Sequence, residues 1–281
     1  MNRLLSSSLL ITALVLTFSV ACSDTDSSDG TTQDGGSSCT PPTDAGSDRP
    51  GSEDKLTIAG VWESQFGGNE VVTDQTWQTP YGTTTVQKFN NDERWLITQN
   101  ASDIKDFADK FNRVVWTAPK TVTKDGLSHT EVFVCTVSYG LDSLELAQSA
   151  TETADDSDPA KSGCGGFSWT RLTTIAVEGT WTTNFCSLEV ISRVAWSKSW
   201  LRGFVNAERV AYTQNPEDAS YAPGRFNKLV WTTAGDGSWH YCTVDFDLET
   251  LEAAQASDKT ADAKDLNGAG CGGFPWTQMT P

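Results

Sequence analysis

Two cysteine-centred stretches recur in the same order and at the same spacing, and nothing else in the chain constrains its fold as much. Cys135-Thr136-Val137 precedes Gly163-Cys164-Gly165-Gly166-Phe167, and Cys242-Thr243-Val244 precedes Gly270-Cys271-Gly272-Gly273-Phe274. In both copies the first cysteine stands 29 positions before the second. Between them runs Leu-x-x-Leu-Glu-x-Ala-Gln, at 141–148 and again at 248–255. One module is therefore written twice. The equal spacing pairs Cys135 with Cys164 and Cys242 with Cys271, each bond stabilising its module by restricting the unfolded chain. Cys186 aligns with Gly67 and belongs to the second copy alone; it pairs with Cys39 or stays free.

The rest of the repeat sets the domain bounds. Residues 56–173 form copy one and 174–281 copy two. Gly60-Val61-Trp62 matches Gly179-Thr180-Trp181, and Glu70 with Trp77 matches Glu189 with Trp196. Thr98-Gln99-Asn100 matches Thr213-Gln214-Asn215, and the segment 111–116 matches 226–231. No linker lies between the copies, which predicts that they pack on one another. Segments 58–64, 84–89, 94–98, 113–117, 132–138 and 241–246 alternate apolar and polar residues with the period of two that marks strands. One helix interrupts them in each copy. Asp142, three before Glu145, predicts its cap, and Leu144, Ala147 and Thr151 share a face. About seven strands and one short helix per copy are expected, as a mainly β chain of two tandem antiparallel barrels or sandwiches.

An opening Gly-x-Trp strand and a closing aromatic-Thr strand (Trp169-Thr170; Trp276-Thr277) resemble the calycins, the lipocalin and avidin barrels. That resemblance implies a barrel with the opening Trp plugging one end. The Cys–helix–Gly-Cys-Gly-Gly unit lies outside the calycin pattern, and a small β-sandwich accommodates the same strands.

Residues 1–21 read as a targeting segment, with Arg3 ahead of an apolar run, 9–20, that is short for a membrane span. Ser19-Val20-Ala21-Cys22 resembles the bacterial lipobox, which implies a lipidated Cys22 as the new amino terminus. Ser23, in place of the Asp that marks inner-membrane retention, then implies the outer membrane or the cell surface. Small Ser19 and Ala21 suit an ordinary signal peptidase equally, which would leave the protein secreted or periplasmic. Lipidation removes one of seven cysteines and leaves six, an even number suited to an oxidising compartment. Residues 22–55 are dominated by Ser, Asp, Gly and Thr and read as a disordered tether between anchor and body.

Composition excludes some functions and suggests few. A net charge of −17 argues against nucleic acid or anionic lipid as a partner, since phosphate is repelled. No Gly-x-Ser-x-Gly, His-Glu-x-x-His or EF-hand loop is present, so no catalytic residue is assigned. Glu70/Glu189 and Glu93/Glu208 repeat, as surface or ion-paired residues or as the carboxylates of a polysaccharide-acting enzyme. Thr-Ala-Asp-x-x-Asp repeats as Asp155 and Asp158, then Asp262 and Asp265. Those carboxylates could hold Ca²⁺ weakly outside the cell, or serve as solvated turn residues; no other cofactor is implied.

Of eleven tryptophans, eight form four equivalent pairs, which are most simply core. Trp95, Trp200 and Trp239 have no counterpart and are the candidates for a ligand surface. The leading expectation is a non-catalytic envelope lipoprotein that binds a small molecule, a glycan or an envelope protein. The alternatives are a structural or assembly component docking on a protein partner, and then the polysaccharide-acting enzyme.

Overall fold

Eight short strands can shield a common apolar interior and leave no free edge by closing into a ring, and both copies do this. The computed structural model describes residues 55–281 other than Asp236. Copy one runs β1 (Gly60–Ser64), β2 (Asn69–Val72), β3 (Thr76–Thr79), β4 (Gly82–Asn90), β5 (Trp95–Asn100), β6 (Phe111–Trp116), β7 (Lys120–Lys124), β8 (Leu127–Leu141), α1 (Leu144–Ser149), β9 (Gly163–Cys164), β10 (Phe167–Ser168) and β11 (Thr170–Thr173). Sequential antiparallel neighbours form the wall, and β11 pairs with both β8 and β1, which closes it. β7 pairs only with β8 and lies outside the ring, as an added hairpin arm.

Copy two runs β12 (Gly179–Thr183), β13 (Leu188–Ile191), β14 (Ala195–Trp196), β15 (Ser199–Val205), β16 (Val210–Gln214), β17 (Phe226–Trp231), β18 (Trp239–Leu248), α2 (Leu251–Ala256) and β19 (Thr277–Thr280). Its eight strands close β19 onto β12. Register shifts fall at matched places, in β4/β5 and β15/β16 and in β6/β8 and β17/β18. Bulges of this kind bend a sheet enough to close it. The barrel alternative is thus realised and the sandwich is not.

Strands β5 and β16 read as continuous apolar runs because both of their faces are covered. Leu96 points into barrel one, while Trp95 and Ile97 lie outside under α1, packed against Ala147. Ala211 points into barrel two, while Val210 and Tyr212 lie under α2 against Ala254. The helix caps are Ser143 and Thr250, whose side chains accept from Leu146 N and Ala253 N. Asp142, expected to be the cap, is one residue too early and instead pairs with Lys110. At the other end of α1, the Arg113 guanidinium donates to the carbonyls of Ala147 and Gln148. Lys228 donates to Ser257 O in the same role after α2. A cation there complements the helix dipole.

One end of each barrel is laced shut. The segment before β1 crosses it, with Leu56 N bonded to Asp74 and Asn91 Nδ2 bonded to Lys55 O. Trp62 and Trp181 are buried, and each donates its indole N–H to a carbonyl four residues back, Ile58 and Val177. The barrels also pack together. Val61 and Leu127 of copy one belong to the same apolar cluster as the interior of copy two. Asn69 holds the backbone of Phe204 at both polar atoms, 3.0 and 2.9 Å. Arg193 stacks over Trp62 at 5.4 Å and donates to Thr57 O, and a side chain at Gly60 would collide with it.

The disulfides join Cys135 to Cys164 and Cys242 to Cys271, with Cα–Cα separations of 5.7 and 5.6 Å. Cys186 is disulfide-bonded as well, so of the two fates read for it the free thiol is excluded. Cys39, the lipobox-like Cys22, the targeting segment and all but the last residue of the tether lie outside the described residues.

Candidate binding cavities at the barrel mouths

Both barrels hold a cavity at the end opposite the lacing, and equivalent residues line the two. In barrel one, of about 490 Å³, the wall includes Glu70 (β2), Trp77 (β3), Thr84 (β4), Thr98 (β5), Asn112 (β6) and Thr136 (β8). In barrel two, of about 720 Å³, it includes Glu189 (β13), Trp196 (β14), Ser199 (β15), Thr213 (β16), Asn227 (β17) and Thr243 (β18). A barrel interior can be filled with Val, Ile and Leu. These rings are Glu, Thr, Ser and Asn instead, beside apolar lining residues such as Val114, Val134 and Leu229.

The carboxylate beside the indole is the most distinctive feature. Trp77 Nε1 donates to Glu70 Oε2 at 2.8 Å, and Trp196 Nε1 to Glu189 Oε2 at 3.0 Å. Glu70 is only 9% exposed. Burial holds its carboxyl above the ordinary carboxylate range, opposed by hydrogen bonds from Trp77 and Ser64. Tyr241 donates its hydroxyl to the other oxygen of Glu189 at 2.7 Å, and burial first, then the Glu189 charge, pushes that phenol well above its usual value. Farther round the wall, Asn112 donates to Asn100 at 2.7 Å and lies 3.4 Å from Thr98. Asn227 repeats both contacts with Asn215, at 2.9 Å, and Thr213, at 3.4 Å. These bonds fix the orientations of both amides.

The mouth-side loops carry exposed aromatic rings, again in matched positions. Phe66 and Phe185 sit in the β1–β2 and β12–β13 turns, and Phe167 and Phe274 follow the second cysteines. Tyr139 and Phe246 belong to the cavity linings themselves.

The unmatched tryptophans stand elsewhere. Trp95 is buried under α1, with Arg113 stacked at 4.6 Å and its N–H on Glu93. Trp239 is fully buried inside barrel two, edge-on to Trp181 at 5.4 Å and Trp196 at 5.9 Å. Neither presents a ring to solvent, which corrects their assignment to a ligand surface. Their lack of counterparts reflects different packing: Val210 takes the place of Trp95 under its helix, and Val132 that of Trp239. Trp200 is 49% exposed, in the groove between the barrels and away from both mouths.

The repeated Asp loops act through their backbones. Asp155 O accepts from Trp169 Nε1, and Asp155 N donates to Gly163 O. Asp262 makes the same two bonds with Trp276 and Gly270. A side chain at Gly163 or Gly270 would collide with those carbonyls, which is why glycine precedes each second cysteine. The Asp155 and Asp262 carboxylates accept from the backbone two residues on, at Ser157 and Lys264. Asp158 pairs with Lys161, and Asp265 accepts from Ala269 N. These are turn roles, and no group of three or more His, Cys, Asp or Glu suited to a metal occurs among the described residues. Glu70 and Glu189 lie in separate barrels, and Glu93 and Glu208 are exposed, so these repeated carboxylates do not meet as a dyad.

The repeat at Glu-x6-Trp and in Thr-Gln-Asn was the sequence signal for these cavities. Reading repeated residues as core concealed it. No protein-family model, curated protein or solved structure matches the chain.

Proposed function

We propose that this is a non-catalytic binding protein of the bacterial cell envelope that holds a small molecule in its barrel mouths. One observation carries the reading. The same polar ring, with a buried carboxylate beside an indole, surrounds an open cavity in each of two copies whose other lining has diverged. A duplicated barrel need not keep such a ring to fold, because buried polar groups cost free energy unless paired. Cavities of this size, part apolar with a few fixed polar groups, suit a small ligand. The calycin likeness of the Gly-x-Trp strands accords with this use of a barrel.

The amino-terminal sequence and the disulfides support an envelope location. A lipidated Cys22 and the polar segment after it would hold the barrels at the outer membrane or cell surface. No helix among the described residues is long and apolar enough to cross a membrane. Labelled palmitate fed to a Gram-negative host should mark the wild-type chain and not Cys22→Ala. An unlabelled wild-type chain in the soluble periplasmic fraction would leave a secreted binding protein instead.

Thermal-shift screening with small amines, aromatic alcohols and mono- and disaccharides tests the binding itself. A compound that fits should raise the melting temperature by mass action, and Thr98→Leu with Thr213→Leu should abolish its effect. A shift that survives both substitutions would take the site out of the cavities. The exposed Phe66, Phe167, Phe185 and Phe274 support a second reading, a protein partner docked on the mouth loops.

A further inference from the structure

The two cavities differ most where the buried carboxylate sits. We propose that the cavity of barrel one selects a ligand with a protonated amine or amidine head, set against Glu70, and that the cavity of barrel two does not. This inference rests on the small-molecule reading above and names the ligand class of one of its two sites.

Glu70 is nine-tenths buried and forms no ion pair among those of the described residues, and no Lys or Arg lines its cavity. A buried carboxylate without a cation is costly to keep in a fold. A cationic ligand head removes that cost on binding, and a neutral head of the same shape removes only part of it. Trp77 fixes one carboxylate oxygen at 2.8 Å, so the acceptor is oriented before the ligand enters. The aromatic rings of Trp77 and Tyr139 belong to the wall, where a cation gains attraction from a ring face. Val114 and Val134 give the apolar body a wall, and the net charge of −17 favours approach of cations.

Barrel two has lost these conditions. Tyr241 replaces Val134, and its hydroxyl occupies the second oxygen of Glu189 at 2.7 Å. Its ring meets Trp196 in a T-shaped contact at 5.3 Å, which fills part of the wall beside the carboxylate. Lys198 replaces Thr79 in the lining and places a like charge at the entrance. The second mouth is therefore suited to neutral or anionic ligands.

Calorimetry on the full chain tests this with phenethylamine, benzamidine and the neutral 2-phenylethanol. Wild type should bind one equivalent of either cation at least about tenfold more tightly than the alcohol, a 1.4 kcal/mol difference. Glu70→Gln keeps an acceptor for Trp77 and should erase that preference, so that amine and alcohol bind alike. Glu189→Gln should leave the preference intact, and Val134→Tyr should weaken it. Equal affinity for amine and alcohol in wild type, or a preference unaffected by Glu70→Gln, overturns the proposal. If panel compounds bind in the cavities without regard to charge, this inference alone falls. If no compound binds in either cavity, the small-molecule reading falls with it.

Discussion

Glu70 couples the protonation of one buried carboxyl to the stability of barrel one. Its carboxyl is held above its ordinary value of 4.5, so the folded chain binds this proton more tightly than the unfolded chain does. The stability linked to that proton is full below the unfolded value and is lost as pH rises through the raised folded value. Above that window the wild type carries a buried charge that Glu70→Gln does not. The variant should be more stable at neutral pH by on the order of 1 kcal/mol, the scale of a single buried-group change. The advantage should shrink as the solution is acidified towards the lower edge of the window. Denaturant melts of both proteins across that range check it, and a variant less stable at neutral pH would show that the carboxylate is better solvated than its burial implies. Sequence alone displayed Glu70 beside Trp77 in both copies and so marked the pair. It could not show that the carboxylate faces inward, because Asn69-Glu70-Val71-Val72 sets two polar residues before two apolar ones and carries no period of two to fix a face. Trp95 and Trp239 failed the other way: a large ring without a counterpart looks like a surface device until a helix or barrel wall is seen to cover it.

The strands were legible as elements because their period of two survives in both copies, and comparing two copies doubled that signal. The closing of the ring was not legible, since β11–β1 and β8–β11 pairing is long-range and leaves no local mark. The cap of α1 was misplaced by one residue for a local reason: Asp142 and Ser143 are both good caps, and only the chain path selects Ser143. Ser143→Ala and Thr250→Ala should each cost about 1 kcal/mol. Asp142→Ala should cost less, because its pair with Lys110 is solvent-exposed. Chemical denaturation of the three variants separates the assignments, and a larger loss from Asp142→Ala would restore the earlier cap. The disulfides were legible from spacing alone. Replacing Cys135 and Cys164 together by Ala should destabilise by about 3.5 kcal/mol, the entropy of a loop of that length. The same loss is expected from the Cys242 and Cys271 pair, and a negligible effect at either would mean that the Asp-loop clasp holds the segment without its bond.

At the scale of the molecule, the two barrels share an apolar cluster and a set of directional bonds centred on Asn69, Arg193 and Asn206. They should therefore unfold together. Asn69→Ala leaves both polar groups of Phe204 without their partner and should cost about 1–3 kcal/mol. Calorimetric melting should show one transition in wild type and a broadened or split one in the variant, whereas two transitions in wild type would mean independent domains. The absence of a linker in the sequence pointed to this contact, but the residues that make it are scattered single positions with no pattern to announce them. In the proposed function, ligands enter the barrels past the repeated polar ring. The eleven tryptophan indole N–H signals in ¹⁵N-labelled protein report on this directly, because those of Trp77 and Trp196 are bonded to the cavity carboxylates. Titration with the compound giving the largest thermal shift should move the signal of Trp77, Trp196 or both, and leave those of Trp95 and Trp200 in place. Movement confined to Trp200, or no movement at Trp77 and Trp196 with any compound of the panel, would contradict the account.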